Sequence, residues 1–145
     1  MKPVVVRAMP WHGYAMRILA IVLSLLAAPS LAQDAMTAAE FDAYTKGRTF
    51  TYGAGGMPYG IEQYLDNRRV RWSFVEGTCQ EVEWYEADGL ICFVYDTEPQ
   101  PQCWSFREGP AGLIAKFEND PTSVELYEVG QSPEPLVCPG PDVGV

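Results

Sequence analysis

Histidine is the side chain best suited to moving protons or holding metal near neutral pH. The sequence contains one, His12, in a leader segment described below. The rest of the chain therefore predicts no Ser-His-Asp triad, no Cys-His pair and no histidine-bound metal. Carboxylates are the remaining candidates. Glu81 and Glu83 stand two apart on an expected strand, which sets them about 6.5–7 Å apart on one face, within the range of glycosidase acid/base pairs. Arg71 and Ser73 are expected opposite them, an arrangement that keeps both carboxylates ionised and spoils a general acid. Asp96 with Glu98, and Glu118 with Asp120, lack the ladder of oxygen donors found in calcium loops. Gly53-Ala54-Gly55-Gly56 is followed by no Lys-Ser/Thr pair and no helical pattern, so it reads as a hairpin loop rather than a phosphate cradle. No catalytic residue, metal site or cofactor is predicted.

Four cysteines, at 79, 92, 103 and 138, could instead provide crosslinks, and the leader says where. Ile18 to Ala28 is an apolar run broken only by Ser24, preceded by Arg17 and stopped by Pro29, with Ser30-Leu31-Ala32 after it. That is the pattern of a secretory signal peptide over residues 1–32, cleaved after Ala32, and it predicts a periplasmic or secreted protein. Residues 1–15 make a poor n-region, and Met16 is an alternative start. A membrane span needs about 20 apolar residues, more than this run supplies, so none is expected in the mature chain. That chain has 7 basic against 19 acidic residues, a net charge of −12. Such a field repels nucleic acid and anionic lipid; it serves solubility by itself, and it suits a cationic protein or a small cationic ligand as partner.

In an exported chain four cysteines read as two disulfides. The strand pattern chooses between the pairings. Asp88-Gly89 is the dipeptide of a two-residue type I′ hairpin, which sets Trp84 opposite Phe93, Val82 opposite Tyr95 and Tyr85 opposite Cys92. A turn over Glu76-Gly77-Thr78 that keeps the apolar faces together sets Arg71 opposite Glu83. A loop over Thr97-Glu98-Pro99 sets Ile91 opposite Trp104 and Cys92 opposite Cys103. The apolar faces alone demand that register, so Cys92–Cys103 is the first predicted bridge and Cys79–Cys138 follows by elimination, pinning the tail to the sheet.

Positioning these residues takes a mainly β fold. Strand-like segments recur at 48–53, 59–65, 69–75, 80–86, 90–96, 101–107, 113–118 and 123–129, separated by Gly, Pro, Asn or Asp. The spacing predicts an antiparallel meander of about 7–8 strands, either a small barrel or a two-layer sheet. In the last hairpin Phe117 is expected opposite Val124 and Ala115 opposite Leu126. The phase of 59–65 stays open, because Tyr59, Ile61 and Leu65 alternate against Tyr64. Thr37-Ala38-Ala39-Glu40 is a capping box with Met36 and Phe41 placed as a hydrophobic staple, predicting one short helix over 38–46 within an N-terminal segment at 33–47. The β domain spans 48–130, and a Pro/Gly-rich tail tethered by Cys138 spans 131–145.

The face opposite the main core carries Tyr85, Leu90 and Val94 beside the expected Cys92–Cys103 bridge. Rimmed by Arg69, Arg71, Glu81 and Glu83, it is the candidate binding surface, unless the helix or the tail covers it. The run from Tyr59 to Leu65, then Arg69-Val70-Arg71-Trp72, Cys79, Trp84-Tyr85, Ile91-Cys92-Phe93 and Cys103-Trp104, resembles uncharacterised small exported disulfide-bonded β proteins of alphaproteobacteria over about residues 36–128. That resemblance implies fold and export, and imports no activity. In general build the chain is also similar to small periplasmic β-barrel inhibitors of lysozyme, and a fold does not fix a function. The sequence thus points to a non-enzymatic, inhibitor-like binding module. The alternatives are a carboxylate-dependent enzyme on envelope glycans and a structural envelope protein without a discrete site.

Overall fold

The computed structural model describes residues 3–4, 34–75 and 77–138. The expected signal peptide and its cleavage site lie, but for Pro3 and Val4, outside the described residues, as does the tail beyond Cys138.

The chain folds into one helix and eight antiparallel strands. Helix α1 is Ala38–Thr45, followed by β1 (Thr49–Ala54), β2 (Met57–Tyr64), β3 (Arg69–Phe74), β4 (Gln80–Ala87), β5 (Leu90–Val94), β6 (Gln102–Gly109), β7 (Gly112–Phe117) and β8 (Leu126–Ser132). Each strand pairs with the next, and β8 pairs with β1, so the sheet closes into a barrel. Closure removes both sheet edges. An eight-stranded barrel is wide enough inside for its own side chains or for one small ligand.

Local chemistry sets the turns. Asp88 and Gly89 take φ of 53° and 76°, as a type I′ hairpin requires, and Trp84 then pairs with Phe93 and Tyr85 with Cys92. Next along the sheet, Ile91 pairs with Trp104 and Cys92 with Cys103. Cys92 is bonded to Cys103 and Cys79 to Cys138. The second bridge brings the tail back over the barrel wall, where the Glu134 carbonyl accepts from Thr49 Oγ1 at 2.6 Å and the Leu136 amide donates to Gln63 Oε1.

Three expectations change. Arg71 faces Glu81, not Glu83, whose partner is Arg69. A shift of two residues keeps every side chain on its own face, so apolar patterning could not detect it. The β3–β4 turn supplies the cause: the Gly77 amide donates to the Phe74 carbonyl, and the Ser73 hydroxyl reaches the Phe74 and Gly77 carbonyls. Ser73 is thereby buried in the turn and holds neither glutamate. In the last hairpin Ala115 does pair with Leu126, but Val124 lies outside β8 and is 69% exposed. An Asp120 side chain bonded to the Thr122 amide and hydroxyl lengthens that loop, and β8 runs on to Ser132. Finally, the β4–β5 register is the expected one, with Glu83 opposite Val94, but β5 stops there, so Tyr95 lies one residue beyond the ladder.

The helix plugs one end of the barrel. Thr37 and Glu40 form the reciprocal capping box, and the Met36 amide donates to the Phe106 carbonyl at 2.7 Å, fixing the helix start to β6. Phe41 is fully buried, with ring centroids 5.4 Å from Tyr64, 5.3 Å from Trp84 and 4.4 Å from Phe106. Burying such a side chain gives about 2–3 kcal/mol. Tyr44 donates to Glu128, whose carboxylate also accepts the Leu113 amide at 2.8 Å. Gly112 makes room for that carboxylate: a Cβ there would stand 2.4 Å from a Glu128 oxygen, and φ is 121°.

Candidate site at the open end of the barrel

Alternation along β2 aims Gly60, Glu62 and Tyr64 into the barrel, facing Phe74, Trp72 and Val70 on β3. On the other side Tyr52 pairs with Gly60 while Gly53 pairs with Pro58, so Tyr59 is an extra, unpaired residue. This bulge turns Tyr59 inward, where it stacks on Trp72 with centroids 6.1 Å apart. Bulges re-aim side chains in this way, and the bulge resolves the conflict of phase between Tyr59 and Tyr64. A second bulge, where Thr51 pairs with Gly130 and Tyr52 with Glu128, flanks the same point on β1. Trp72 lies across Gly60, where a Cβ would stand 2.3 Å from the indole; only glycine lets the ring take that position.

The result is a cavity of about 180 Å³ at the end away from α1. Glu62 lies among Trp72, Phe93, Tyr95 and Trp104, while Tyr59 and Phe74 stand at the mouth. No lysine or arginine lines it. Tyr64 donates its hydroxyl to Glu62 Oε2, and Tyr52 lies 3.3 Å from the Tyr64 hydroxyl. With the Tyr64 proton on the carboxylate, Tyr52 is the donor to Tyr64. Glu62 Oε1 has no hydrogen-bond partner among the described residues, yet no buried polar side-chain atom among them is left unsatisfied. Oε1 is therefore open to the cavity.

Burial raises the Glu62 carboxyl to about 7, against the lowering effect of the Tyr64 hydrogen bond. Burial likewise lifts the phenols of Tyr52, Tyr59, Tyr64 and Tyr95, and the Glu62 charge adds to it. A half-enclosed carboxyl, raised by desolvation and sitting in a cleft, makes Glu62 a candidate functional group.

The sequence-predicted residues lie elsewhere, on the outer wall. Tyr85 and Val94 are 40% and 45% exposed, and Leu90 is half-buried. The described tail contacts reach Thr49 and Gln63 on β1 and β2 and leave this patch uncovered. Glu81 binds both Arg69 and Arg71, the latter at 2.6 Å, and Glu83 pairs across the ladder with Arg69 and Val94. The hydrogen bond from Arg71, together with both guanidinium charges, holds Glu81 below the usual carboxylate range. Among the described residues no group of three or more His, Cys, Asp or Glu side chains could hold a metal ion, and no helix is long and apolar enough to cross a membrane. Sequence reasoning missed Glu62. The available signal was its even spacing with Gly60 and Tyr64, obscured by the bulge at Tyr59.

No family model, curated protein or solved structure matches the chain.

Proposed function

We propose that this protein is a non-enzymatic binding module, exported by cleavage after Ala32 to the periplasm or beyond, whose barrel takes one small ligand into its open end. The observation that carries the reading is the asymmetry of the barrel: α1 and Phe41 fill one end, while the other holds a cavity of about 180 Å³ walled by aromatic rings. Engineered apolar cavities of about 150 Å³ admit benzene, whereas drug-sized ligands occupy about 300–1,000 Å³. The size selects a single-ring molecule over a lipid or a large cofactor. The two disulfides belong to a compartment where thiols oxidise, which supports the export reading. Glu81 is a poor candidate for acid catalysis on glycans, since two arginines hold it ionised.

The test is a thermal-shift series with single-ring compounds. Binding to the folded state alone raises the midpoint, by about 2.7 kcal/mol of stability at a hundredfold excess over Kd. Ala115 lines the cavity, and Ala115→Leu fills it. The wild type should respond to ring compounds and Ala115→Leu should not. An unresponsive wild type, or a variant that responds equally, overturns the proposal. N-terminal sequencing of the recovered protein should begin at Gln33; a retained leader contradicts the export part.

A further inference from the structure

We propose that the ligand is a compact organic cation, a protonated amine on a single ring, bound with the Glu62 carboxylate as counter-ion and Trp72, Phe93 and Trp104 as walls. This rests on the reading of the barrel as a ligand binder and names the chemistry it selects. Glu62 Oε2 is taken by Tyr64, which fixes the carboxylate, while Oε1 faces the cavity with nothing to accept from. An N–H donor of opposite charge satisfies that oxygen with a charge-assisted hydrogen bond, the stronger kind. The indole and phenyl faces suit the same ligand, because aromatic faces attract cations and apolar rings alike. No cationic side chain inside competes for the carboxylate, since the lining holds no lysine or arginine. The net charge of −12 beyond Ala32 favours approach of a cation over an anion.

The titratable groups facing Glu62 are the phenols of Tyr52 on β1, Tyr59 and Tyr64 on β2 and Tyr95 after β5, with Glu98 in the following loop at the mouth. The β3, β6, β7 and β8 residues of the lining bring none. Burial keeps the four phenols protonated, so Glu62 is the interior group whose charge changes near neutrality. Capture is therefore gated by pH. A cation needs the ionised carboxylate, and protons displace it as pH falls through about 7; affinity drops about tenfold for each pH unit below that point.

Calorimetric titration with phenethylammonium and with its uncharged isostere propylbenzene tests this. Phenethylammonium should bind tightly at about pH 8 and weakly at about pH 5.5, and Glu62→Gln should cost roughly tenfold or more at the higher pH. Propylbenzene should bind Glu62→Gln equally at both pH values, which also verifies that the variant is folded. Phenethylammonium binding that ignores Glu62→Gln, or equals that of propylbenzene at about pH 8, overturns the cation assignment and leaves the barrel as a binder of neutral rings. Failure of both compounds overturns the assignment together with the binding role.

Discussion

Glu62 costs the empty protein stability, and that cost is measurable. Its folded value of about 7 lies above the ordinary 4.5, so the folded state holds a proton that the unfolded state has released. The contribution is intact below about pH 4.5 and is lost as pH rises to about 7, a swing on the order of 3 kcal/mol. Glu62→Gln removes it. Denaturant titration should find the variant close to wild type near pH 4.5 and more stable than wild type, by about 1–3 kcal/mol, near pH 8. A variant less stable than wild type at the higher pH contradicts the burial of this carboxyl. Gly112 makes the opposite case, because its replacement strains φ and crowds Glu128. Gly112→Ala should lower stability by about 2 kcal/mol or more in the same assay; a neutral result would show that Glu128 has room to move. Neither residue announces itself in the sequence. A glutamate inside a strand reads as solvent-facing until its phase is known, and the Tyr59 bulge reverses the phase.

At the level of elements the two barrel ends behave differently. Phe41 on α1 is fully buried among Tyr64, Trp84 and Phe106, whereas Phe74 at the end of β3 is 55% exposed at the mouth. Phe41→Ala should lose about 3–5 kcal/mol. Phe74→Ala should change stability by less than about 0.5 kcal/mol while weakening ring-compound binding. Equal losses of stability would mean that the mouth is packed core rather than an entrance. Most of these elements were legible. The capping box marked α1, Asp88-Gly89 fixed β4 against β5, and the apolar faces set Cys92 opposite Cys103. The β3–β4 register was not legible, because a two-residue slip preserves every face. The end of the Phe117–Val124 loop was hidden for a different reason: the Asp120–Thr122 turn is a side-chain device that lengthens the connection without altering strand periodicity.

For the molecule as a whole, closure and crosslinking act together. Whether the meander closes depends on β1 meeting β8, a contact between the two ends of the domain that local spacing cannot encode; barrel and two-layer sheet look alike in sequence. The disulfides were readable because register and elimination both constrain them. Their loops of 11 and 59 residues correspond to about 3 and about 4 kcal/mol in a chain-entropy model. Reductant should therefore lower the thermal midpoint markedly, with Cys79→Ser/Cys138→Ser losing at least as much as Cys92→Ser/Cys103→Ser. An unchanged midpoint would mean that the barrel holds without its crosslinks.

The central claim is that ligand enters the barrel rather than resting on its outer wall. Intermolecular nuclear Overhauser effects between phenethylammonium and the protein at about pH 8 separate the two directly. Cross-peaks to the indoles of Trp72 and Trp104 and the ring of Phe93 are the predicted result. Cross-peaks confined to Tyr85 and Val94 would contradict it and return function to the outer face.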